Sequence, residues 1–216
     1  GQPSGGQPSG GQPSGGQPSG GQPSGGQQVL FEDDFSTEKG WDLVDVDYKS
    51  TTYQEGGFRI WVNKPQLDVW STLNQDLGQD VVIEVDATKT FGPDSNDYGV
   101  ICRFAEVSDS SGGKAYYFYY FLVNSEGKAV IAKVDNSQQT YFSQSGQMEP
   151  ASAVKPGMGT NHIRAECIGN QLTLYVNGQQ VASVTDPGLA SKGGDIGLIA
   201  GTFDEIGVVV WFDNLK

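Results

Sequence analysis

Apolar and polar residues alternate along most of the chain beyond residue 28. The clearest stretch is QLTLYVNGQQVASV, where Leu172, Leu174 and Val176 alternate with Thr173 and Tyr175. A period of two is the mark of a strand with one buried face. Asn177-Gly178 then supplies the residue pair that closes a two-residue hairpin, and Val181 and Val184 continue the return strand. DVVIEVDATKT alternates in the same way, with Val81, Ile83, Val85 and Ala87 on one face and Val82, Glu84, Asp86 and Thr88 on the other. YYFYYFLVNSEGKAVIAKV reads as a second hairpin that turns between Asn124 and Gly127. GGFRIWV, NDYGVICRF, TNHIRAECIG, GDIGLIAGTF and GVVVWFDNL predict further strands, and clusters such as FGPDSND and SDSSGGK punctuate them.

No segment sustains a helical period with caps. MEPASAVKPG has room for a short turn of helix, bounded by Pro150 and Pro156. About ten to thirteen short strands indicate an all-β, two-sheet antiparallel sandwich of jelly-roll type.

The first 28 residues follow a different rule. GQPSG is repeated five times and trails into Gly26-Gln27-Gln28. A period of five excludes a collagen triple helix, which needs glycine at every third position. The repeat has no apolar area to offset the entropy of ordering it, so residues 1–28 read as a non-globular tail or linker. As a flexible coil it spans roughly 25–30 Å. Such a tail suits the separation of a domain from an anchor upstream. Residues 29–216 form the sandwich domain.

The 13 basic and 26 acidic residues all lie beyond the tail, and the net charge is -13. That balance argues against nucleic acid and against anionic membrane surfaces as partners. No apolar run is long enough to span a membrane. Two cysteines, Cys102 and Cys167, lie in strand-like runs. Two buried thiols and one disulfide both fit their spacing. With a single histidine, His162, they do not make a Cys/His zinc site.

Several stretches together carry a family resemblance: LFEDDFS with Trp41 shortly after, VVIEVDATK, DYGVICRF, and the end NHIRAECIGNQLTLYVNGQQVASV, GDIGLIAGTF and VVVWFDNLK. The chain resembles the concanavalin A-like lectin/glucanase superfamily, and especially its bacterial laminin-G-like and 3-keto-disaccharide-hydrolase-like sandwich domains. The resemblance implies a surface-attached or extracellular bacterial protein that handles glycans. It implies that the first and last strands lie together, which brings Asp33 and Asp34 near Asp213 as a candidate structural calcium site. Asx turns and strand-end hydrogen bonds are the alternative role for these carboxylates. No other cofactor is expected.

The glucanases of that superfamily carry a Glu-x-Asp-x-x-Glu strand. The nearest match here is Glu84-Val85-Asp86-Ala87-Thr88-Lys89, which lacks the third carboxylate and argues against that mechanism. Glu84 and Asp86 then read as ion-paired residues on a solvent-facing strand. His162 alternates with Ile163 on a strand, and no Gly-x-Ser-x-Gly elbow accompanies it, so a surface or paired histidine is expected. Asp94 to Gly99 imitates the start of an EF-hand but has Tyr98 at the fifth position and Ala105 at the twelfth.

Glycan binding remains, because flat aromatic rings with flanking polar groups suit the apolar faces of sugars. Trp61 and Arg59 face away from Phe58, Ile60 and Val62, and Trp70, Tyr116, Tyr117, Tyr119 and Tyr120 are the other candidates. YYFYYFLV is aromatic on both faces, so one set meets something other than the main core. The expected function is a non-catalytic, extracellular carbohydrate-binding or adhesion module on a flexible tail, with a polysaccharide or glycoconjugate as partner. The alternative is a structural subunit of a surface filament or matrix, in which the tail joins copies of the chain. A glycoside hydrolase is the third reading.

Overall fold

The computed structural model describes Gly1 and residues 28–108, 112–189 and 192–216. Residues 2–27 lie outside the described residues, and with them the readings of the tail as tether or assembly strand. Among the described residues there are fifteen strands and no helix. They are β1 Val44–Val46, β2 Lys49–Gln54, β3 Gly57–Val62, β4 Leu67–Thr72, β5 Val81–Phe91, β6 Asp97–Ser108, β7 Lys114–Asn124 and β8 Lys128–Asp135. Then follow β9 Gln138–Tyr141, β10 Glu149–Pro150, β11 Asn161–Ile168, β12 Gln171–Val176, β13 Gln179–Thr185, β14 Asp195–Thr202 and β15 Val208–Asp213. The stretch after β10 forms a turn closed by Val154 N to Ala151 O at 3.0 Å, where a short helix had room.

Two antiparallel sheets pack face to face as a sandwich. The eight-stranded sheet runs β1-β2-β3-β15-β5-β11-β12-β13, and the seven-stranded sheet runs β10-β8-β7-β6-β14-β4 with β9 beside β8. The two strands nearest the C-terminus enter the middle of the sheets: β15 separates β3 from β5, and β14 separates β4 from β6. The first and last residues of the sandwich are tied by a reciprocal pair, Asp33 N to Leu215 O and Leu215 N to Asp33 O, both 2.9 Å.

Alternation explains the layers. In β5, Val81, Ile83, Val85 and Ala87 are buried while Val82, Glu84, Asp86 and Thr88 are half-buried on the outer side. The β12–β13 hairpin turns at Asn177 and Gly178, with φ of 50° and 81°, as a turn of that hand requires. The main core lies between the sheets and includes Phe35, Trp41, Phe58, Tyr98, Phe121 and Phe212. Cys102 of β6 and Cys167 of β11 form a disulfide across that core, with Cα atoms 6.7 Å apart. Of the two fates open to the cysteines, the structure has the disulfide, and it ties one sheet to the other.

Candidate functional site

The disulfide sets the phase of the aromatic strand β7. Tyr119 pairs in register with Cys102. Since Cys102 reaches toward the opposite sheet, Tyr119, Phe121 and Val123 face the main core with it. Phe118, Tyr120 and Leu122 therefore face the outside of the seven-stranded sheet. There they build a second apolar cluster with Ile101, Val130, Ala132 and Ile199, bordered by Trp70, Phe104, Tyr116 and Tyr141. Trp70 is in edge-to-face contact with Tyr116, centroids 5.3 Å apart, and tilts against Phe118 at 5.6 Å. Phe104 and Phe118 stack at 5.8 Å. Such pairs hold rings in fixed orientation, and the result is an aromatic floor outside the sheet, in which Phe118 and Tyr120 are buried while Trp70, Phe104 and Tyr116 stay half-buried.

Two carboxylates stand at the end of this floor. Asp68 in β4 pairs with Gly201 in β14, and Asp97 opens β6 on the other side of β14. Gly201 has no side chain to separate them. A Cβ placed there would lie 2.3 Å from Asp68 Oδ1 and 2.6 Å from Asp97 Oδ1, and the sum of these distances is the most that can separate the two oxygens. Among the described residues, neither carboxylate is ion-paired with a lysine or arginine.

Their environments raise both acids. Asp97 is 3% exposed, and burial followed by repulsion from Asp68 holds its carboxyl well above the usual range. Solvent reaches Asp68, yet the protein around it displaces enough water to push its carboxyl up to about 6. The phenols nearby stay protonated. Tyr141 is pushed up to about 12 by burial and then by the charges of Asp97 and Asp68, and Tyr120 moves the same way, mainly through burial. The Tyr120 hydroxyl oxygen accepts from Gln139 Nε2. A pocket of about 220 Å³, lined by Asp68, Trp70, Tyr116 and residues of β1 and β2, opens beside the pair.

The glycan candidates taken from the sequence are divided by the sandwich. Trp70 lies on the aromatic floor. Tyr119 does not belong to an exposed platform. It is fully buried, and its hydroxyl donates to Asp186 Oδ2 at 2.8 Å and accepts from Leu189 N at 3.0 Å. Tyr117 shares the inward side at the margin of the main core, with the Lys192 ammonium 4.5 Å from its ring centre. Trp61 and Arg59 face outward from the eight-stranded sheet, and the guanidinium lies 6.0 Å from the Trp61 ring centre.

The calcium candidates are held apart. Asp33 is buried among aromatic rings and accepts from Phe35 N at 2.8 Å and Trp41 Nε1 at 3.0 Å. Asp34 is exposed and caps Ser36. Asp213 is exposed at the end of β15, one residue beyond the core residue Phe212, so it points to the opposite side of the strand. Among the described residues no three His, Cys, Asp or Glu side chains are grouped to hold a metal ion.

The strand that imitates the glucanase motif is ion-paired as expected. Arg164 bridges Glu84 and Glu166, and His162 Nδ1 is 2.8 Å from Asp86 Oδ1. Lys89 faces the other side of β5, where it is buried and donates to Gly92 O at 3.0 Å and Asp94 Oδ1 at 3.1 Å.

Sequence reasoning did not single out Asp68 or Gly201, and met Asp97 only as part of a failed EF-hand. Asp68, Asp97 and Gly201 come from three distant segments, so no spacing announces them. Tyr116 shares the phase of Phe118, which the register of Cys102 identifies only after the fold is known.

The fold is an all-β sandwich of concanavalin A-like type. Residues 26–216 match the family described as the 3-keto-alpha-glucoside-1,2-lyase-like domain, and the chain belongs to it. No curated protein matches the sequence. Among solved structures, the chain is similar to a carbohydrate-binding module, CBM66 from Bacillus subtilis, at 16% identity and a TM-score of 0.60, covering 82% of this chain and 96% of that one. It is similar to a prokaryotic β-1,3-1,4-glucanase (lichenase) from a mouse hindgut metagenome at 10% identity and a TM-score of 0.61, covering 86% and 96%. It is also similar to the Bacillus licheniformis β-glucanase at 12% identity and a TM-score of 0.54, covering 86% and 95%. At these identities the likeness is one of fold.

Proposed function

We propose that the domain binds carbohydrate on the outer face of the seven-stranded sheet, as an extracellular module carried on its N-terminal repeat. One observation carries the reading: the half-buried rings of Trp70 and Tyr116 share a face with two adjacent carboxylates, one of them open to solvent. Aromatic rings receive the CH faces of a sugar, and the carboxylates accept its hydroxyl protons. The carbohydrate-binding module among the similar folds supports this use of the scaffold. The intersheet disulfide supports an oxidising compartment. The test is a glycan array with the full chain, followed by titration of the best ligand. Trp70→Ala and Tyr116→Ala are expected to weaken binding about tenfold each. Unchanged affinity in both variants would remove the site.

A second reading is favoured by the acid pair. Two carboxyls this close approach the roughly 5 Å spacing of retaining glycosidase pairs. Elimination from a 3-keto glucoside would ask for one base, to take the proton beside the ketone, and one acid, to protonate the departing glycosidic oxygen. Raised carboxyls suit both roles. Incubation with a 3-keto-α-glucoside, followed by assay of released sugar, separates the readings. Catalysis predicts turnover that Asp97→Asn abolishes, whereas binding without turnover leaves the module non-catalytic.

A further inference from the structure

The outer face of the eight-stranded sheet carries an aromatic strip that the floor and the acid pair do not use. Trp211 in β15 lies between Arg59 of β3 and Thr88 of β5. Its indole rests over Gly57, where an added Cβ would come within 3.2 Å of Trp211 Cε3. The missing side chain lets the ring settle against the strand, and the indole stays half-exposed. It lines a surface depression of about 280 Å³ together with Asp86, Thr88, Thr160, Asp213 and Asn214.

The polar groups of this depression are held in place. Asp86 is fixed from two sides, by His162 Nδ1 at 2.8 Å and by Asn214 Nδ2 at 3.0 Å. Thr88 and Thr160 share a hydrogen bond of 2.7 Å. Asn214 holds a φ of 55° and lines the same depression as the ring. Among the described residues Asp213 has no cationic partner. An aromatic face bordered by fixed carboxylate, amide and hydroxyl groups is complementary to a polyhydroxylated ligand with an apolar side. Two carboxylates at the rim disfavour an acidic sugar. Arg59 and Trp61 continue the strip along the next strand, which gives it the length for more than one sugar ring.

We propose that Trp211, with Asp86, Asp213 and Asn214, forms a second binding site, for uncharged saccharides, on the sheet opposite the acid pair. One domain would then hold two glycan chains, or two stretches of one chain. The site shares a ligand class with the reading above but none of its residues.

The test uses the full chain labelled with 5-fluorotryptophan, followed by fluorine NMR during titration with cellohexaose and, separately, laminarihexaose. Trp41, Trp61, Trp70 and Trp211 are the four tryptophans, and Trp→Phe variants assign their signals. The expected result is a saturable shift of the Trp211 signal with at least one sugar. Asn214→Gly removes the amide while keeping a residue that accepts the positive φ, and is expected to weaken that curve about tenfold with Trp70 unaffected. A Trp211 signal that stays still with both sugars overturns the proposal, whatever Trp70 does. A shift that both Asn214→Gly and Asp213→Ala leave unchanged also overturns it. A shift at Trp211 with Trp70 still upholds this site and counts against the first.

Discussion

Asp97 shows how far a single residue's behaviour departs from its type. It is 3% exposed beside a second carboxylate, and both burial and that neighbour favour its protonated form. The folded state therefore holds this proton more tightly than the unfolded chain does, and folding takes up protons. Stability from the pair is expected to fall as pH rises from about 4, the unfolded value, through about 6, the folded value of Asp68. Asp97→Asn keeps the shape and removes the charge. Its melting temperature is expected to exceed that of the parent by roughly 3 °C or more at pH 7, with little gain at pH 4. Thermal unfolding at the two pH values checks this, and an equal gain at both would show that charge is not the cause.

The acid pair exists only because three strands bring it together. β4, β14 and β6 set Asp68, Gly201 and Asp97 in a row, and the glycine lets the outer two approach. Gly201→Ala is compatible with the backbone but places a methyl against both carboxylates. It is expected to cost about 1–3 kcal/mol, as overpacking does, and to force the acids apart. Carboxyl titration by NMR would then show Asp97 titrating lower than in the parent, because repulsion from Asp68 is weakened. An unchanged titration would mean that the two groups do not interact across Gly201. The same scale explains why Tyr119 was misread. A strand aromatic on both faces has no phase of its own in the sequence, and the pairing of Tyr119 with Cys102 turns it inward.

In the whole molecule, the sheets are joined through the core by Cys102 and Cys167, 65 residues apart in sequence. Closing a loop of that length restricts the unfolded chain by about 4 kcal/mol in the chain-entropy account. Cys102→Ala with Cys167→Ala is expected to lower the melting temperature by roughly 10 °C without changing the strands, as calorimetry and circular dichroism would show. A shift under about 2 °C would mean that packing alone holds the sheets in place.

Local rules were enough for ten of the fifteen strands, though not for β1, β2, β4, β9 and β10, and for the Asn177-Gly178 turn, the outward side of Arg59 and Trp61, and the class of sandwich. Each depends on neighbours within a few residues, through the alternation of side chains or the φ that a turn demands. Only the tertiary structure decided that the cysteines are bonded, that Tyr119 is internal and that Asp33 and Asp213 face different ways. It also decided that Asp68 and Asp97 meet over Gly201 and that the Trp211 ring rests against Gly57. Those facts depend on which strands become neighbours. That order is set by burial summed over both sheets, and no short stretch of the chain contains it.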